Sequence, residues 1–228
     1  MDHARVVECG LDVGRIASRA LERGYRGEDA FVALVAMLER RIAMELEPAP
    51  GDAGPRPACR AGCAACCTVN VATLAIEGIA VAAFLRGLLG PAEIAPRAEA
   101  LLAFHERVRW ADDAERIRLG LACPFVDERG ACIVHPVRPL ACRAVTSLDP
   151  ADCRRALAER AGDDGDGTVQ MNLLQRALYD ESLQALAAAL SERGLDARTR
   201  DVSGMAGVFL ADASRAGAWL SGSHLPLE

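Results

Sequence analysis

Four cysteines stand within nine residues, CRAGCAACC from Cys59 to Cys67, and the last two are adjacent. Thiolates bind soft and borderline ions and iron–sulfur clusters strongly, and short spacers within one loop bring several sulfurs together at small entropic cost. Cys59, Cys63 and Cys66, with three and then two residues between them, have that spacing. On a helical turn, Cys67 would point about 100° away from Cys66. That suits two sites, or two sides of one cluster, better than a single tetrahedral ion. A second group, Cys123, Cys132, Cys142 and Cys153, follows among prolines, glycine and turns, where metal knuckles form. Eight thiols satisfy two tetrathiolate sites, or one four-sulfur site with thiols to spare. Cys9 stands apart and reads as a small buried hydrophobe.

Disulfides are the competing use of cysteine. A chain of 228 residues, 51% of them hydrophobic, can fill an ordinary core without staples, and nine is an odd number to pair. The N-terminal MDHARVVECGLDVGRIASRALERG has scattered charges and no apolar stretch ending in a small-residue cleavage site. It does not read as a secretory signal, so a cytoplasmic, reducing location is expected. The thiols are therefore read as metal or cluster ligands.

Other residues narrow the chemistry. All 26 basic residues are arginine, and the absence of lysine excludes Walker-type phosphate loops and Schiff bases. A net charge of -6 without a basic stripe argues against nucleic acid as a partner. The most apolar run, VATLAIEGIAVAAFLRGLLG, carries Glu77 and Arg86 at helical spacing. It is expected to be a buried amphipathic helix, with no membrane span. The acidic GDDGDG at 162–167 would place Gln175 where a calcium loop needs a bidentate glutamate, so it reads as a solvated linker.

The elements that must position the thiols are mostly helices. Apolar spacing predicts helices near 11–23, 29–47, 73–89, 91–118, 151–161, 169–193 and 205–219. Within 29–47 the buried stripe is Phe31, Leu34, Val35, Leu38 and Ile42. The proline- and glycine-rich 47–58 is a loop delivering the chain to the first cysteines. Between 123 and 143, β-branched runs around the DERG turn predict a small hairpin or irregular loop. The expected fold is mainly α: one helical domain over 1–228, packed around a cysteine-rich loop core at 59–153, with at most a small β-hairpin.

The cysteine segments carry a family resemblance. CRAGCAACC, then CPFVDERGACIVHPVRPLACR and SLDPADC, resembles the YkgJ family of cysteine cluster proteins, the CxxCxxCC zinc- or iron-chelating domain. Its pattern falls on Cys59, Cys63, Cys66, Cys67, Cys123, Pro124, Phe125, Gly130, Cys132, Arg138, Pro139, Cys142 and Arg143. The chain departs in its three-residue first spacer and in His135, where such proteins often have an aromatic residue. The resemblance implies binding of a metal or cluster and no settled reaction.

Around the thiols, Arg138 and Arg143 are candidates either to donate hydrogen bonds to sulfur or to form surface ion pairs with Asp127, Glu128 or Asp149. His135 is a candidate for a solvated residue or a donor to a ligand, rather than a ligand itself. Three function classes remain. The leading one is a metal-binding or redox cysteine-cluster protein holding an iron–sulfur cluster or zinc, with a protein partner left open. The second is an enzyme similar to flagellin lysine-N-methylase, although no glycine-rich methyl-donor loop is present. The third is a zinc-stabilised interaction module.

Overall fold

Apolar side chains recurring at helical spacing account for most of the chain. The computed structural model describes residues 3–24, 27–48, 56–60, 62–162 and 167–227. Residues 49–55 of the proline-rich loop and 163–166 of the acidic linker lie outside the described residues. Helix α1 (His3–Glu22) begins well before the predicted position 11, because Val6, Cys9, Gly10 and Val13 continue the stripe of Ala17 and Ala20. In α2 (Glu28–Met44), Phe31, Leu34, Val35, Leu38 and Ile42 are the buried residues, as the spacing predicts.

Two helices are buried on nearly every face: α3 (Ala75–Leu88) and α9 (Val202–Ala211). Glycines let their neighbours approach. A Cβ on Gly78 would lie 2.3 Å from Met205 Cγ, and one on Gly204 would lie 2.5 Å from the His105 ring of α4 (Pro91–Val108). Helix α2 lies on α3, and α9 lies between α3 and α4. On the other side α1 runs along α8 (Leu173–Ser191), which also meets the short α6 (Leu140–Ala144). One buried cluster runs through these helices from Val6 to Leu227.

Two predicted helices are each two. The stretch 91–118 breaks after Val108 and restarts as α5 (Asp113–Arg118). The Asp112 carboxylate accepts from the Glu115 amide at 2.8 Å, and Glu115 accepts from the Asp112 amide at 2.9 Å. That reciprocal cap starts a helix anew. The stretch 205–219 divides into α9 and α10 (Ser214–Leu220) at Asp212, whose carboxylate accepts from the Ser214 amide at 2.9 Å. The predicted 151–161 helix is α7 (Pro150–Ala161).

Strand is minimal, in keeping with a mainly α fold. Strands β1 (Ala72–Thr73) and β2 (Arg200–Asp201) pair antiparallel, with Ala72 opposite Asp201. This pairing is long-range. In the predicted hairpin region the described residues hold one isolated bridge, between Val126 and Cys132. Among the described residues no helix is long and apolar enough to cross a membrane.

Candidate metal centre

The first cysteine loop is strapped at both ends to the second. At its start, the Ala58 amide donates to the Ser147 carbonyl at 2.8 Å, and the Ser147 amide donates to Cys59 Sγ at 3.4 Å. At its end, the Cys123 amide donates to the Cys67 carbonyl at 2.6 Å. Midway, Gly62 packs on the 127–131 turn so closely that a Cβ on Gly130 would lie 3.0 Å from the Gly62 carbonyl oxygen. Gly130 has φ of 75°, a left-handed conformation that side chains with a Cβ disfavour.

Cys66 and Cys67 sit on a 3₁₀ turn, Ala65–Thr68, rather than on an α-helix. Their thiols lie near enough to hydrogen-bond each other, with Cys66 the acceptor. The hydrogen bond from Cys67, opposed by burial and aided by Arg138, lowers the Cys66 pKa. The same bond, with burial, raises that of Cys67.

Cys132 is placed by the DERG turn. Asp127 accepts from the amides of Arg129 at 2.9 Å and Ala131 at 2.8 Å, folding the segment back so that Cys132 bridges to Val126. Phe125 is buried beside it, beneath the Arg97 guanidinium at 5.7 Å, and Arg97 donates to the Pro124 carbonyl at 2.6 Å. Cys142 rides on α6, whose first amide, Leu140, donates to the buried Glu77 carboxylate at 2.6 Å. The other Glu77 oxygen accepts from Leu74 at 2.9 Å at the start of α3. Cys153 lies on α7, capped by Asp149, which accepts from the Ala151 amide at 2.8 Å.

Seven of the eight thiols are half-buried and Cys59 is exposed. Burial pushes Cys123 up to about 12 and Cys142 up to about 11, so as free thiols both are protonated near neutrality. Burial also raises Cys132 and Cys59. As thiolates they repel one another across both loops: Cys67 with Cys66, Cys123 and Cys142; Cys132 and Cys142 with Cys66; Cys59 with Cys66, Cys63 and Cys153. The two sequence groups thus share one neighbourhood. Among the described residues, however, no three His, Cys, Asp or Glu side chains are close enough to hold one ion as they lie. No disulfide joins the described cysteines.

Cys9 is buried in α1, and its charged neighbours are Arg41, Glu45 and Asp12 of the α1–α2 surface. His135 is exposed, and burial together with Arg138 and Arg143 lowers its pKa. The two candidate arginines differ. Arg143 pairs with Glu39 at 3.1 Å and donates to the carbonyls of Arg138 and Pro136, bracing the loop; none of the expected acidic partners is involved. Arg138 keeps a buried Nε without a partner, and its charge acts on Cys66, Cys132 and Cys142.

Residues 58–161 match the family model CxxCxxCC, described as "Putative zinc- or iron-chelating domain". This stretch is similar to the CxxCxxCC domain. No curated protein and no solved structure matches the chain. The matched stretch contains all eight cysteines of the two loops, and their donor chemistry fits a thiolate-bound metal.

Three residues that serve the domain carry no signal in the sequence beyond their helical spacing: Glu77, Arg97 and Arg116. Arg116 of α5 is fully buried, and Arg97 has a buried Nε without a partner. The charges of both act on Cys123. In sequence, each looks like one charged residue of a solvated helix face.

Proposed function

We propose that the cysteine core holds an iron–sulfur cluster, in an accessory or electron-carrying role, within one domain spanning the chain and in the reducing cytoplasm. Metal chelation follows from the CxxCxxCC domain. The observation that carries the finer reading is the ligand pattern: a dense run ending in the adjacent Cys66 and Cys67, with the distant arm of Cys123 and Cys142 folded back beside that pair. A tetrahedral zinc requires four ligands about 2.3 Å from a single centre. A cluster presents several iron corners a few ångströms apart, so thiols from differently directed loops reach it with less rearrangement.

The arginines support the same reading. Arg97, Arg116 and Arg138 each keep a buried N–H without a partner, and cluster sulfides supply acceptors for such groups beyond the cysteines themselves. Bound there, a cluster supplies electron transfer. The chain's own part is to hold it with Cys59, Cys63, Cys66, Cys67, Cys123, Cys132, Cys142 and Cys153, to offset its charge and to fix the loops through Glu77, Arg143 and Ser147.

Anaerobic purification followed by visible spectroscopy and by iron, sulfide and zinc analysis tests the proposal. Broad visible absorption that bleaches with dithionite, with iron and sulfide present, is expected. A colourless protein holding stoichiometric zinc after anaerobic reconstitution contradicts it.

A further inference from the structure

Arg116 is the most completely enclosed charge beside the thiols. Its Nε donates to the Leu121 carbonyl at 3.2 Å, two residues before Cys123. Its Nη1 donates to Asn70 at 3.1 Å and to Asp201 at 3.2 Å, and the Phe104 ring lies under it at 5.3 Å. Its Nη2 is buried without a partner. A fully enclosed guanidinium with an unsatisfied N–H is costly to keep.

Resting on the reading of the core as an iron–sulfur centre, we propose that Arg116 is a positioning residue that sets the centre's reduction potential, with Asp201 as its counterweight. Arg116 holds the arm entering Cys123 and places a positive charge beside that ligand. Positive charge stabilises the reduced, more negative state of a thiolate-bound cluster and so raises its potential. Asp201, at the end of β2, faces the same guanidinium and partly cancels its charge. Asp201 also accepts from the Ser203 amide at 2.9 Å and from the Ser203 hydroxyl, which locks it in place. The couple therefore has a built-in sign: removing the arginine charge and removing the aspartate charge must act in opposite directions.

The experiment is a spectroelectrochemical titration of the full chain, purified anaerobically with its resident centre. Arg116→Met, which keeps an apolar side chain of similar length, should lower the midpoint. The oxidised-to-reduced ratio at the wild-type midpoint should rise about tenfold or more, or about 59 mV for one electron. Arg116→Lys, which keeps the charge, should recover most of that shift. Asp201→Asn, which can still cap α9, should move the midpoint the opposite way. Should Arg116→Met fail to fold, the raised midpoint of Asp201→Asn against wild type decides the matter. Unchanged midpoints, or shifts of one sign in both Arg116→Met and Asp201→Asn, overturn the assignment, since mere loosening has no reason to reverse sign. A wild-type protein holding only redox-silent zinc overturns the cluster reading, and this inference with it.

Discussion

Replacing Glu77 with glutamine should change how stability depends on pH. The Glu77 carboxylate is 1% exposed and ties the start of α3 to the start of α6, the helix that carries Cys142. Burial raises its pKa from 4.5 to about 7, with the two backbone amides opposing the shift. In the unfolded chain the group loses its proton near the ordinary value. Between those two values the native state therefore holds more protons than the unfolded state, and stability falls as pH rises. Below the lower value both states are protonated, and above the upper value both are ionised, so the loss is confined to that window. At 1.36 kcal/mol per unit, a shift from 4.5 to about 7 amounts to about 3 kcal/mol. The glutamine of Glu77→Gln cannot titrate, and its single carbonyl oxygen can satisfy only one of the two amides well, a cost of about 1–3 kcal/mol. Urea unfolding of both proteins at mildly acidic and mildly alkaline pH gives the comparison. The variant should be the less stable at acidic pH, and the gap should close by about 3 kcal/mol, or reverse, on going to alkaline pH. A gap that stays constant across the window would refute the reasoning.

Gly78→Ala should destabilise the fold by about 1–3 kcal/mol, despite a helix-propensity gain of up to about 1 kcal/mol, because the new methyl meets Met205; urea unfolding measures it. Gly130→Ala should cost about 1–2 kcal/mol of backbone strain at φ of 75° and push Gly62 away, so the variant should surrender metal to a chelator faster than the wild type. Cys9→Ala should leave the metal content unchanged while Cys142→Ser reduces it, as metal analysis of the two purified variants will report.

The helices were legible wherever burial follows a simple spacing, as in α2, whose five predicted core residues are the buried ones. They were misjudged where a local cap competes with a continuing apolar pattern. Asp112 and Glu115 form a recognisable cap signature, but the apolar spacing passes through it, and the restart of α5 depends on the chain turning there to bury Ile117. The pairing of β1 with β2 left no local trace, since two-residue strands are stabilised only by the packing that brings them together. Type and density alone single out the thiols as candidate ligands. Their surroundings were not legible. Arg116 and Arg97 differ in no local respect from the many arginines on solvated faces, and only the long-range packing of α4 and α5 on the CPF arm encloses them. The relation of Cys66 to Cys67 depended on a 3₁₀ turn that the apolar spacing does not distinguish from an α-helical one.

The central claim is that two cysteine loops far apart in sequence bind one metal centre through sulfur. X-ray absorption at the metal edge, on full-length protein purified without added metal, tests it most directly. The account predicts a nearest shell made of sulfur, at about 2.3 Å if the ion is zinc, with a further metal neighbour if the ions form a cluster, and loss of that signal in Cys123→Ser or Cys66→Ser. A nearest shell of nitrogen and oxygen, or a sulfur shell that survives both substitutions, would contradict it.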